Sequence, residues 1–191
     1  MHNGYIVYLM RMIAEQGAVA SLYCDANDPE NYQAALIEQV NLRHVVIAAI
    51  TQWGKLDGWW VRRTGDIVQV LCGEEQELRL NYLMRHHEQR HAPLLPLGQA
   101  SETDWLRAVL DLAIREKRLV SLFTATETFT CEPLQVDDLR VTVRALDLFG
   151  QPEAEDETFT LRDIEALSIG TEEEQMYDIL REHFPGDMEL R

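Results

Sequence analysis

The chain repeats itself, and this self-similarity limits what it can fold into more than any other feature. Val19-Ala20-Ser21-Leu22-Tyr23 answers Leu119-Val120-Ser121-Leu122-Phe123, and Ile50-Thr51-Gln52-Trp53-Gly54 answers Leu146-Asp147-Leu148-Phe149-Gly150. Asp66-Ile67 with Gly73 answers Asp163-Ile164 with Gly170. The offsets are 100, 96 and 97 residues, so only short insertions and deletions separate the copies. A chain of 191 residues is therefore expected to hold two small modules. Their boundary falls in Ala92-Pro93-Leu94-Leu95-Pro96-Leu97-Gly98, where two prolines and a glycine end a helix and favour an extended connection. We assign 1–92 to the first module, 93–100 to a linker and 101–191 to the second; the linker's three leucines predict that it packs along one module.

Each copy opens with a helix. Ile6, Leu9, Met10 and Ile13 share one face in the first, and Leu106, Val109, Leu110 and Ala113 in the second, behind the capping candidates Ser101 and Thr103. Short runs of β-branched and aromatic residues follow, broken by turn formers. They predict strands at 19–24, 32–40, 43–52, 58–63 and 67–72, then at 119–124, 129–136, 139–148, 157–161 and 164–169. A second helix closes each copy. Thr171-Glu172-Glu173-Glu174 reads as a capping box, with Met176, Ile179, Leu180 and His183 along one face. Tyr82, Leu83 and His86 hold the corresponding face in the first copy, where the alternation Leu78-Arg79-Leu80 also allows a longer strand. The expected fold is mainly β with flanking helices (α+β), a tandem repeat of two helix-plus-five-stranded barrels whose closure leaves few exposed edges.

A helix followed by five short strands, with Gly54-Lys55-Leu56-Asp57-Gly58, Asp66-Ile67-Val68-Gln69-Val70 and the run Thr158 to Leu167, resembles the Sm-like small β-barrels. That SH3-like superfamily includes the Sm and LSm proteins, Hfq and the WYL sensor module. The resemblance spans most of each copy and implies a small barrel in each. It carries no functional residue across, because the family's RNA-contact motifs are absent.

Hydrophobic residues make up 46% and charged residues 26% of the chain, a balance that predicts a packed fold. No apolar run approaches the ~20 residues of a membrane-spanning helix. Met1 to Tyr5 lack the basic flank of a secretory signal, so a cytoplasmic location is expected. Cys24, Cys72 and Cys131 are odd in number and form no C-x-x-C pair, which predicts buried thiols rather than disulfides.

The net charge of −16 is unevenly spread: residues 1–98 carry 8 basic and 11 acidic groups, residues 99–191 carry 9 and 22. Acidic surfaces repel phosphate backbones, so RNA is disfavoured as a partner and only the first module suits it.

Two motifs carry candidate chemistry. His87-Glu88-Gln89-Arg90-His91 matches H-E-x-x-H, which on a helix sets two imidazoles on one face to bind zinc beside a glutamate base. Arg90 between the ligands, Pro93 just beyond and the lack of a following Gly-x-x-His, with Glu102 and Glu116 of the second copy's opening helix as the alternative third ligands, favour a polar helix end instead, so His87 and His91 are secondary metal candidates for a zinc hydrolase. The second motif runs from Trp53 to Arg63 and gathers Trp53, Lys55, Trp59, Trp60, Arg62 and Arg63. Aromatic groups beside cations serve protein interfaces and single-stranded nucleic acid alike. The second copy has Phe149-Gly150-Gln151-Pro152-Glu153-Ala154-Glu155-Asp156-Glu157 there, an acidic hairpin complementary to the first.

Asp25, Asp28, Glu30 and Asp137-Asp138 read as solvated turns, and Glu172 to Glu174 as charges at a helix start. No nucleophile elbow, Walker loop or dinucleotide fingerprint is present, and no cofactor is expected. The sequence favours a non-enzymatic, cytoplasmic protein-interaction or regulatory protein that self-associates through the Trp53 to Arg63 hairpin, with RNA binding by the first module as the alternative.

Overall fold

The apolar stripe of residues 2–16 forms α1 (His2–Gln16), with Ile6, Met10 and Ile13 buried. Gly17, in the left-handed region at φ +60°, ends it. Four strands follow: β1 (Val19–Tyr23), β2 (Tyr32–Val40), β3 (His44–Ile50) and β4 (Leu56–Arg63). A 3-10 turn at Thr64–Asp66 leads into β5 (Gln69–Cys72) and α2 (Glu75–His86). The same order recurs as α3 (Trp105–Glu116), β6 (Val120–Thr124), β7 (Thr128–Val136), β8 (Arg140–Ala145), β9 (Glu157–Thr160), a 3-10 turn at Leu161–Asp163, β10 (Ile164–Ile169) and α4 (Glu172–His183). This is a computed structural model, and it describes residues 2–28, 30–96 and 103–183. The chain divides into two units, Met1–Trp105 and Leu106–Arg191. The protein is a mixed α+β structure, mainly β.

In the first unit the strands lie in the order β5-β1-β2-β3-β4, and in the second β10-β6-β7-β8-β9, all antiparallel within each unit. Neither five-strand set closes on itself, which corrects the expectation of closed barrels. The fifth strand of each set pairs with the first and not with the fourth, because the 3-10 turn carries the chain away from β4, and from β9, before pairing resumes. Each sheet bends at a bulge, where the pairing skips one residue between Ile37 and Gln39 of β2 and between Pro133 and Gln135 of β7.

Strand alternation distributes the core of the first unit over both faces of its sheet. Ala20, Leu22, Ala35 and Ile47 pack with α1, whereas Val19, Ala34 and Ile50 pack with Leu80 and Met84 of α2. The run Leu78-Arg79-Leu80 is helical, not an extension of β5: Leu80 and Met84, a turn apart, reach the sheet and Leu78 is exposed. The face predicted at Tyr82, Leu83 and His86 is therefore not the buried one, since Tyr82 is 72% exposed.

In the second unit Leu106, Val109, Leu110 and Ala113 of α3 are buried as their spacing requires. Thr103 precedes the first helical residue, Trp105, by two positions; Ser101 lies outside the described residues. In the segment 93–96, Leu95 is buried and the amide of Leu94 donates to Glu38, so this stretch packs on the first unit. No helix among the described residues is long and apolar enough to cross a membrane.

Candidate interaction site

The β3–β4 connection is built by hydrogen bonds from Gly54 N to Thr51 O at 2.9 Å and from Thr51 N to Lys55 O at 2.8 Å. The β8–β9 connection repeats the pattern, from Gly150 N to Asp147 O at 3.0 Å and from Asp147 N to Gln151 O at 2.9 Å. Gly54 has φ +73° and lies so close to α2 that an added Cβ would come 2.4 Å from Leu83 Cβ. Gly150, at φ +75°, sits in the same way on α4, where an added Cβ would come 3.1 Å from Leu180 Cβ. Each turn tip is thus fixed to the last helix of its unit, and the residue before the glycine is carried outward. Trp53 is 66% exposed there, and its counterpart Phe149 is also exposed.

The six candidates of the first hairpin do not form one surface. Trp53 and Lys55 are exposed, whereas Trp59, Trp60, Arg62 and Arg63 are half-buried. Trp60, opposite Ile47, packs against the α1 side of the core, and the Arg62 guanidinium lies 4.7 Å from the centre of its ring. Arg62 Nε also donates to Gln33 Oε1 at 2.7 Å. On the opposite face Trp59 Nε1 donates to Glu38 Oε1 at 2.7 Å. Strand alternation sends the adjacent Trp59 and Trp60 to opposite faces, but it does not show the partner of Trp59.

Glu38 is the residue that the β2 bulge leaves unpaired, and its carboxylate is buried. Besides Trp59 it accepts the amide of Leu94 at 3.0 Å, and His91 Nε2 lies 3.2 Å from Oε1. The second unit has Leu134 at its bulge, so this polar node belongs to the first unit alone.

His91 is therefore tied to a strand. α2 stops at His86, His87 occupies its C-cap and Glu88 takes a left-handed φ of +50°, so His87 and His91 do not share a helix face as a zincin pair would. Among the described residues no three His, Cys, Asp or Glu side chains gather as metal ligands.

The buried carboxylates were missed by sequence reasoning. Glu174, the last residue of the expected capping box, takes the Thr171 amide as that reading requires, but it is also buried at the first turn of α4, which the reading did not include. Its Oε1 accepts from Ser121 Oγ and Ser168 Oγ, both at 2.6 Å, and its Oε2 from Thr171 N at 2.7 Å and Thr171 Oγ1 at 2.6 Å. Since Ser121 spends its one proton on Glu174, the 2.9 Å contact with Thr130 makes Thr130 the donor to Ser121. In the first unit Glu77 occupies the same place, accepting from Ser21 Oγ and from Glu74 N at 2.9 Å. Ala34 and Leu71 flank Ser21 there, where Thr130 and Ser168 flank Ser121. These carboxylates join a helix start to a strand, and their charge reaches nearby thiols: burial first, then Glu77, raises the Cys72 thiol, and burial with Glu174 raises Cys131. Cys131 is buried as expected, but Cys24 is exposed, which corrects the prediction for that thiol; it lines a cleft of about 210 Å³ with Tyr32, Gln33 and Arg62.

Set against known proteins, the chain matches no family model, no curated protein and no solved structure.

Proposed function

We propose that the chain is a tandem repeat of two Sm-like modules that acts in the cytoplasm as a non-enzymatic protein-interaction protein, associating with copies of itself through the Trp53–Lys55 turn. The observation that carries this is the exposure of Trp53 on a turn that Gly54 anchors to α2. An indole displayed on a fixed support loses little freedom on contact, and covering such a side chain is worth about 2 kcal/mol. The tandem repeat is supported by the shared element order, the matched turn hydrogen bonds and the paired positions of Ser21 with Glu77 and Ser121 with Glu174. The Sm-like reading is supported by the order of each unit, one helix followed by five short strands.

Light scattering over a range of concentrations tests the function. The mass of the wild-type chain should rise with concentration, and that of Trp53→Ser/Lys55→Ser should not. A wild-type mass that stays monomeric, or that rises only while RNA is bound and falls on nuclease treatment, overturns self-association.

A further inference from the structure

The helix behind each turn carries exposed apolar residues of its own. In the first unit they are Leu78 and Tyr82 of α2; in the second they are Met176 and Ile179 of α4. Tyr82 and Ile179 occupy the same position of the two helices, as Trp53 and Phe149 do of the two turns, so each unit places a large apolar group on its turn and another on its last helix. Leu148, next to Phe149 on the second turn, is 82% exposed. Scattered apolar residues on a surface need no explanation, but a cluster on one turn and the helix it touches does.

The borders of the two patches differ in net charge. Beside the first are the exposed cations Lys55, Arg79 and Arg85, with one exposed carboxylate, Glu75, a turn before Leu78. Beside the second are the exposed carboxylates Glu173, Asp178 and Glu182, the last at the position that Arg85 holds in the first unit. Burial, then Glu174, raises the Glu173 carboxyl above its ordinary value; burial also raises Asp178, with Glu182 adding to it against the pull of Arg181. A cation brought to this border would relieve that crowding.

We propose that the Leu148, Met176 and Ile179 face of the second unit receives the Trp53 and Tyr82 face of the first unit of another copy of the chain. An apolar centre with a charged rim of opposite sign is the anatomy of a specific interface, and the rim fixes which face meets which. The contact is heterologous, so each copy offers one donor face and one acceptor face and association continues until it closes in a ring or grows as a filament. This rests on the self-association proposed above and names the surface that receives the Trp53–Lys55 turn.

Two variants separate the proposals. Trp53→Ser/Lys55→Ser removes the donor face, and Leu148→Ser/Ile179→Ser removes the acceptor face; all four residues are exposed, so folding, checked by circular dichroism, should be preserved. Each variant alone should associate at least about tenfold more weakly than wild type, while an equimolar mixture should form a dimer and nothing larger, since one intact donor meets one intact acceptor. Wild-type association by the Leu148→Ser/Ile179→Ser chain, with loss in the Trp53→Ser/Lys55→Ser chain, overturns the acceptor face and leaves self-association standing. Wild-type association by both variants overturns both proposals, and a mixture that stays monomeric overturns the pairing of these two faces.

Discussion

Ser121 Oγ donates to Glu174 Oε1 at 2.6 Å across fifty-three positions of sequence, with both groups buried. The bond ties β6 to the first turn of α4. A buried carboxylate is tolerable only when its oxygens are filled by donors, and Glu174 receives two at each oxygen. Helix starts favour negative charge as well, which adds to the same balance.

Truncating either partner leaves buried polar groups stranded. Ser121→Ala is expected to lower stability by ~1–3 kcal/mol, and Glu174→Ala by more, because every donor around it then lacks an acceptor. Urea unfolding of the full chain reads both. Midpoints equal to wild type would show that the pair is not holding the helix on the strand.

Gly54 and Gly150 make a graded test of the turn anchors. A Cβ at either position sits on a left-handed backbone, which costs ~1–2 kcal/mol for an L residue. At Gly54 it also meets Leu83 Cβ at 2.4 Å and Met84 N at 2.9 Å, whereas at Gly150 the nearest atoms are at 3.1 Å. Gly54→Ala should therefore destabilise more than Gly150→Ala in thermal unfolding. The reverse order would mean that the hairpin of the first unit is not seated on α2.

Much of this fold was legible because its signals are local. β-branched alternation located the ten strands to within a few residues, and Ser21 and Ser121, like Gly54 and Gly150, stand at corresponding places in the element order of the two units. Closure was not legible, because it depends on where the chain goes after β4, and the 3-10 turn at Thr64–Asp66 that decides it is only three residues long. The buried glutamates were hidden for a different reason. The capping box singled out Glu174 through its bond from Thr171 N, but nothing local could show that the same carboxylate also reaches a serine on a strand fifty-three positions earlier. The candidate site was legible as a stretch of chain but not as a surface: alternation could separate Trp59 from Trp60, yet only packing could show that Trp53 and Lys55 alone of the six are exposed.

His44 makes stability depend on pH. Burial lowers its pKa from the ordinary value, Asp104 opposes the shift, and Arg43 and Arg63 add to it. Nδ1 is buried with no hydrogen-bond partner among the described residues and lies 3.6 Å from Asp104 Oδ1. The folded state thus binds a proton less readily than the unfolded chain, whose histidine titrates near ~6.5. The stabilisation is complete above that pH and is lost as pH falls from it toward the lower folded value. Between about pH 7.5 and about pH 5.5, the melting temperature of the wild type should fall further than that of His44→Gln. Parallel melting curves for the two proteins would refute the assignment.

Glu38 supplies the sharpest contrast between the units. A bulge turns its carboxylate inward, where it accepts the Trp59 indole and the Leu94 amide and faces His91, while Leu134 at the equivalent bulge makes no such demand. Removing the carboxylate leaves the Trp59 indole N–H and the Leu94 amide without their acceptor, a loss of ~1–3 kcal/mol for each buried group left unpaired, so Glu38→Ala should destabilise. It should also free the segment 91–94 from β2, because both of that segment's polar contacts with the strand end on this one carboxylate. Hydrogen exchange distinguishes the two effects: in Glu38→Ala the Leu94 amide should lose protection under conditions where the β2 and β3 amides keep theirs. Retained protection at Leu94 would show that Leu95, buried beside it, holds the segment without the carboxylate.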